Sequence, residues 1–206
     1  MLFEVDVERR LGERRIALRF DSDAPLTALF GPSGAGKTTV LNLISGLLRP
    51  DRGTIRVGDE TLFGAGIDVP VERRRAGYIF QDHRLFPHLR VMRNLTYGLK
   101  LAKGEALMTL DAAIEFLGLE GLLDRWPQSL SGGEVQRVAI GRTILSGARF
   151  LLMDEPLASL DAARREEVMR VIERLRDEVG LPILYVSHDR GEVERLAGTV
   201  VAMPLD

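Results

Sequence analysis

Residues 26–44, LTALFGPSGAGKTTVLNLI, decide the fold: a short apolar run stops at glycine, a glycine-rich loop follows, and apolar residues then recur at helical spacing. Residues 31–38, GPSGAGKT, fit the G-x-x-x-x-G-K-[ST] pattern of a phosphate-binding loop. The glycines let successive backbone N–H groups turn toward phosphate oxygens, and the helix that follows adds its positive end. The motif requires a strand before it and a helix after it. Residues 26–30 supply the strand, and Val40, Leu41, Ile44 and Leu47 supply the helical stripe. The phosphate-binding set is therefore Gly31, Pro32, Ser33, Gly34, Ala35, Gly36, Lys37, Thr38 and Thr39, with Lys37 reaching the β- and γ-phosphates and Thr38 holding Mg²⁺. The chain uses 25 Arg and only three Lys, so a lysine here fits the need for a compact ammonium in a crowded cradle.

Working outward, residues 2–7 and 14–20 alternate apolar and polar side chains around a turn at Gly12, which predicts an antiparallel hairpin. The runs GYIF (77–80), FLLM (150–153), ILYV (183–186) and TVVA (199–202) do not alternate, as expected of strands covered on both faces in a mainly parallel sheet. Val168, Ile172, Leu175 and Val179 form one stripe over residues 161–179 and predict a crossover helix. Residues 84–145 carry no comparable strand and read as helices broken at Gly98, Gly104, Gly118 and Pro127. The fold class is α/β: a mainly parallel core sheet with an antiparallel β N-terminal part and a helical insertion at about 84–145.

Composition narrows the function. With 28 Lys+Arg against 30 Asp+Glu, the net charge of −2 gives no net electrostatic reason to bind nucleic acid. The absence of cysteine rules out disulfides, thiolate metal sites and cysteine nucleophiles. The N-terminus has no signal-peptide pattern, and no apolar run approaches membrane-spanning length, so any membrane connection is expected through a partner.

FLLMDE, residues 150–155, ends a buried-strand run with two acids. If this strand neighbours the one before the phosphate loop, Asp154 supports Mg²⁺ and Glu155, pointing elsewhere, polarises a water for attack on the γ-phosphate.

At residues 130–137 the chain reads LSGGEVQR, and with this run the sequence resembles the ATP-binding subunits of ABC transporters. Further elements follow the family order: Gln81 at a strand end, Ser159-Leu160-Asp161, and His188 after ILYVS. Ser131-Gly132-Gly133 opening a helix is a second anion site, and Ser131 with Glu134 also satisfies a capping box. The resemblance implies a P-loop NTPase that binds ATP and Mg²⁺. In it Ser131, Gly132, Gly133 and Asp161 serve the nucleotide across a head-to-tail dimer, Gln81 touches Mg²⁺ and the attacking water, and His188 contacts the γ-phosphate. His83 and His88 are read as surface or packing residues.

Residues 77–99 and the run DEPLASLD are most similar to importer ATPases, in particular molybdate importer subunits. The resemblance thus implies ATP hydrolysis coupled to uptake of an oxyanion, with molybdate as the expected cargo. It also implies permease subunits and, indirectly, a substrate-binding protein as partners, and a cytoplasmic, peripheral place on the inner face of the membrane. Sulfate, metal or amino-acid importers are the alternatives, followed by a non-transport ABC ATPase; a small-molecule kinase has no use for LSGGE. Leu85, Phe86 and Leu89 either form the groove family members offer a permease or pack the helical insertion's own core. Where relatives stack adenine on an aromatic residue, residues 10–12 read Arg-Leu-Gly; either Arg10 supplies a cation–π contact or base affinity is lower. Molybdate-type subunits often continue into a C-terminal β-domain; ending at Asp206, this sequence is expected to be one nucleotide-binding domain over 1–206 without it.

Overall fold

In the computed structural model, residues 1–102 and 106–203 are described, and their strands divide into two five-stranded sheets. The chain runs β1 (Phe3–Leu11), β2 (Arg14–Ser22), β3 (Leu26–Phe30), α1 (Lys37–Ser45), β4 (Arg52–Val57), β5 (Glu60–Gly64), β6 (Ile67–Asp68), α2 (Val71–Arg74) and β7 (Ala76–Ile79). It continues through α3 (Val91–Leu101), α4 (Leu110–Leu117), α5 (Gly132–Ile144), β8 (Phe150–Asp154), α6 (Ala162–Arg174), β9 (Ile183–Ser187), α7 (Arg190–Leu196) and β10 (Thr199–Ala202).

The core sheet is ordered β10-β3-β9-β8-β7 with every pairing parallel. β8 and β9 are buried at every position, which is why their sequences are apolar without alternation. One expectation needs correction: β8 does not neighbour β3, because β9 lies between them. The second sheet is antiparallel, ordered β2-β1-β4-β5-β6, and contains the expected hairpin. Its strands β4 to β6 were not legible in the sequence. They are short, interrupted by glycine, and β4 buries only Ile55 and Val57, too little for alternation to register.

α1 lies between the sheets. Its Val40, Leu41, Leu43 and Ile44 pack with Phe3, Val5 and Val7 of one sheet and Phe150, Leu152, Leu184 and Val186 of the other. Each such fully buried side chain contributes about 1.5–3 kcal/mol, so the helix that opens at the phosphate loop is anchored along its length. Its far end is finished by Arg74, only 2% exposed, whose guanidinium donates to the carbonyls of Leu43 and Ile44 at 2.8 and 3.0 Å. A cation there suits the negative end of the helix.

The helical insertion is present as α3, α4 and α5. Gly98 does not break it: it lies inside α3, where a Cβ would stand 2.4 Å from the Arg142 carbonyl, so glycine permits α3 and α5 to approach. Gly118 ends α4 in the left-handed conformation and Pro127 opens a short 3₁₀ turn, both as expected. Gly104 lies outside the described residues. α6 buries Val168 and Ile172 and gives way after Arg174 to a wider π-helical turn that carries Leu175 and Val179.

Candidate functional site

The loop between β3 and α1 turns on Gly34 and Gly36, at φ +83° and +94°, a region open to glycine and strained for other residues. Gly36 is also where the hairpin closes down on the loop, since a Cβ there would lie 2.6 Å from Cδ1 of Ile16. Gly36 caps α1 without any side-chain bond, which leaves the first N–H groups of the helix to the loop's interior. Lys37 is buried, and its Nζ donates to the carbonyls of Gly31 and Pro32 at 2.8 and 2.9 Å. Pro32, Ser33 and Gly34 are exposed, Ala35 is buried, and Thr39 is half-buried beside the exposed Thr38.

Thr38 Oγ1 donates to Asp154 Oδ1 at 3.1 Å across a separation of 116 residues. The two meet although their strands are not adjacent, because α1 passes between the sheets and its first turn overhangs the end of β8. Asp154 is 5% exposed, and burial is the chief cause that raises its pKa above the usual carboxylate range. Its second oxygen accepts from the Tyr78 hydroxyl at 3.5 Å. Burial beside this carboxylate raises the Tyr78 pKa well above the ordinary phenol value, so it stays a donor. Sequence reading passed over Tyr78. The available signal was a polar-tipped aromatic in a buried strand, whose hydroxyl needs a partner.

Glu155 follows with a different environment. Its φ of +46° is left-handed, a strain on the order of 1–3 kcal/mol for a non-glycine residue, and its N–H is held by the Val186 carbonyl at 3.1 Å. The turn swings its carboxylate away from Asp154: Oε1 lies 3.7 Å from Lys37 Nζ and Oε2 lies 3.0 Å from His188 Nδ1. His188 is half exposed, and the turn carrying it is braced from beneath. Tyr185 and Ser187 hydroxyls both donate to buried Glu192 at 2.8 Å, and Ser187 Oγ accepts from the Asp189 N–H.

A cavity of about 650 Å³ joins Thr38, Asn42, Tyr78, Gln81, Asp154 and Ser159. Gln81 therefore belongs to the same site, although it sits two residues beyond the end of β7 rather than at the strand end. Among the described residues no group of three or more His, Cys, Asp or Glu forms a metal cage. The donors present are one hydroxyl, one amide and one buried carboxylate with neutral hydrogen-bond partners. That is the kind of partial set that holds Mg²⁺ together with substrate phosphates.

Ser131, Gly132 and Gly133 do not line this cavity. Ser131 caps α5 in a complete capping box, its N–H donating to Glu134 Oε2 at 2.6 Å and its Oγ accepting from the Glu134 N–H at 3.4 Å. Gly132 packs under Leu160, where a Cβ would come within 2.8 Å, and Gly133 under Arg164. Asp161 caps α6, accepting from the Arg164 N–H at 3.0 Å. The chain thus places its second group of expected nucleotide residues together, outside the lining of that cavity.

Arg10 is misplaced as a base contact. In the hairpin Arg9 pairs with Ile16, Arg10 with Arg15 and Leu11 with Arg14. Directly paired residues share a face and faces alternate, so Leu11 and Arg14 share the face of Ile16, which covers the phosphate loop, and Arg10 is on the other.

Leu85, Phe86 and Leu89 are half-buried. Leu85 packs on the core of the helical insertion, and Phe86 lies 4.5 Å from the ring of Tyr97, itself 46% exposed. The Asn94 amide fastens this segment through Phe86 N–H and the carbonyls of Phe86 and Leu89. One side of the segment packs inward, and Tyr97 beside Phe86 is exposed.

A parallel core sheet with a phosphate loop at the carboxyl ends of its strands defines a P-loop NTPase, and the chain belongs to the ABC transporter family, whose pattern matches residues 17–158. It is 53% identical over 205 residues to the molybdenum import ATP-binding protein ModC of Paramagnetospirillum magneticum, covering 98% of this chain and 56% of that protein. It is 54% identical to the protein of the same name from Mesorhizobium japonicum, with the same coverage of both. The chain thus spans about half the length of the curated relatives it matches. Among solved structures it resembles a dimeric ABC transporter cassette, MJ0796, at TM-score 0.78 and 27% identity over 98% of this chain and 94% of that one. It also resembles cbiO1 of Clostridium perfringens, part of the cbiONQ transporter complex, at TM-score 0.83 and 25% identity over 98% and 84%. A post-hydrolysis form of the MJ0796 cassette bound to ADP and phosphate matches at TM-score 0.78 and 26% identity over 97% and 92%.

Proposed function

We propose that this chain is the ATP-hydrolysing part of an ABC importer for molybdate, acting as a head-to-tail pair on the inner face of the membrane. The observation that carries the ATPase reading is the chain of contacts from Thr38 to Asp154 on one side of the phosphate loop and from Lys37 through Glu155 to His188 on the other. Two carboxylates in sequence are thereby given separate tasks.

Lys37 and the N–H groups at the start of α1 bind the phosphates and take up charge that develops on them. Thr38, Gln81 and Asp154 are the residues that would hold Mg²⁺, which would supply positive charge to offset the charge on the phosphates. Glu155 is the base that removes a proton from the attacking water. With Glu155 ionised, Nδ1–H of His188 donates to it and orients the carboxylate; only the doubly protonated ring also has an Nε2–H to donate to the γ-phosphate. Ser131, Gly132, Gly133 and Asp161 act on the nucleotide of a second copy; their place outside the lining of the chain's own cavity supports this. The exposed rim of Phe86 and Tyr97 supports a permease contact close to Gln81, and a substrate-binding protein acts through that permease. No described helix is long and apolar enough to cross a membrane. Molybdate as cargo is supported by relatives that are about half identical over nearly the whole chain.

The test is uptake of labelled molybdate at limiting concentration in a strain lacking the gene, complemented by wild type or by Glu155→Gln. Wild type is expected to restore uptake and the variant to fail, with turnover in the purified variant at least ~10²-fold lower, the scale of a lost general base. Unchanged uptake in the deletion strain rejects molybdate as the cargo. Near-normal hydrolysis by the variant rejects Glu155 as the base.

A further inference from the structure

The core sheet has a second cavity at its other end. About 570 Å³ in volume, it shares no lining residue with the cavity of Thr38 and Asp154. It lies where β8 and β9 begin, against Phe150 and Leu181, whereas Asp154 and Ser187 end those strands. Four residues of extended chain separate the two ends of β8 by about 13 Å. The turn between β4 and β5 lines one side and Leu107, from the helical insertion, lines another. An occupant therefore touches the insertion and both sheets at once.

The floor is apolar and the cations stand side by side above it. Leu62 and Phe150 are buried residues of the lining. Arg75 and Arg149 directly precede Ala76 and Phe150, which are register partners in parallel strands, and the Arg149 N–H donates to the Arg75 carbonyl at 2.9 Å. Side chains alternate in step along paired strands, so the two arginines share a face. Arg75 holds φ at +54°, a left-handed conformation that strains a residue other than glycine. Among the described residues the Arg149 side chain makes one hydrogen bond, from Nη1 to Glu60 Oε2 at 2.9 Å, and both partners are exposed enough that the pair contributes little. Arg74, also in the lining, is buried, and three of its four hydrogen bonds end on neutral carbonyls; its one acid is Asp68, at 3.3 Å. A buried cation countered this weakly keeps a positive field nearby, because protein screens it less than water does.

We propose that this cavity is a second binding site, for a small organic monoanion: a carboxylate meets Arg149, and an aliphatic or aromatic body covers Leu62 and Phe150. The volume is in the range of about 300–1,000 Å³ usual for small-molecule sites. Asp59 and Glu60, both in the lining, oppose a second negative charge, which disfavours nucleotides and other polyanions. An inorganic oxyanion leaves the apolar floor unfilled. The site does not depend on the nucleotide reading of the phosphate loop.

The test uses para-(trifluoromethyl)benzoate, followed by fluorine NMR with the full chain. It is expected to bind with a Kd of about 1 mM, the scale open to a compound this small. The matching neutral compound, para-(trifluoromethyl)benzyl alcohol, is expected to bind at least ~10-fold more weakly, because it cannot make a hydrogen bond between two charged groups. Arg149→Gln and Leu107→Asp, both at exposed positions, are each expected to weaken the benzoate about 5-fold or more, and saturating MgATP is expected not to displace it. Absence of benzoate binding up to about 10 mM, equal affinity for acid and alcohol, or wild-type affinity in either folded variant overturns the site. Displacement by MgATP overturns it as well, since the benzoate then sits at the phosphate loop. Should Arg149→Gln fail to fold, Leu107→Asp decides alone.

Discussion

α1 and α5 both begin at glycine-containing turns and both present the positive end of a helix, yet their first turns are completed in opposite ways. α1 has Gly36 at its cap, no side-chain capping bond and no acid in its first turn. α5 has Ser131 and Glu134 bonding each other's backbone N–H groups. The orphan N–H groups of α1 are left for an external anion, whereas those of α5 are partly satisfied by the helix itself. In the capping bond Ser131 Oγ is only an acceptor, at 3.4 Å, so it keeps its own hydrogen to donate. The first site is built to bind alone. The second is closed by its own side chains and keeps one hydroxyl hydrogen, which the role proposed for Ser131 at a second copy's nucleotide requires.

The comparison breaks most visibly at Lys37. Lys37→Ala is expected to lower ATP affinity by about 10²-fold, the upper scale of a hydrogen bond to a charged group, measured by titration with a fluorescent ATP analogue. Unchanged affinity would mean that the uncapped turn of α1 does not hold the phosphates. Ser131→Ala sharpens the other half. It is expected to leave ATP affinity as in wild type and to lower turnover about 10-fold, while losing about 1 kcal/mol of cap stability, a fall in Tm of roughly 2–4 °C. A Ser131→Ala protein with reduced ATP affinity and normal turnover would put that serine in the first site instead.

The smallest effect is in acid. The Ser131 N–H holds the Glu134 carboxyl below its ordinary pKa of 4.5. A lowered folded-state value contributes stability that is present above the unfolded value and is lost as pH falls through the folded one. The stability gap between wild type and Glu134→Gln is therefore expected to be full near pH 7 and to close below about pH 4, followed by Tm at a series of pH values. A gap that persists in strong acid would show that the carboxylate's charge is not what closes the α5 turn.

Much of this site was legible because its chemistry is local. The phosphate loop needs glycines at fixed spacing and a lysine before the helix; the capping box needs a serine three residues before a glutamate; and a strand ending in two acids announces itself. Tyr78 was not legible in this role. A tyrosine within an apolar strand run carries no mark of what it faces, and its partner Asp154 lies far away in the chain. The Arg10 reading fails for a related reason: one position of register in a hairpin moves a side chain to the other face, and the pairing puts Arg10 on the face opposite Ile16.

By itself the sequence determined the parallel α/β core, the helical insertion, the phosphate loop and the residue types of the catalytic set, because periodicity, turn chemistry and motif spacing act over a few residues at a time. Tertiary structure alone decided that β9 stands between the two strands of the site, that Thr38 still reaches Asp154, and that β4 to β6 complete an antiparallel sheet. Those contacts depend on which edge each strand joins and how α1 and α5 lie across the sheets. Packing between distant segments makes that choice, and no local pattern encodes it.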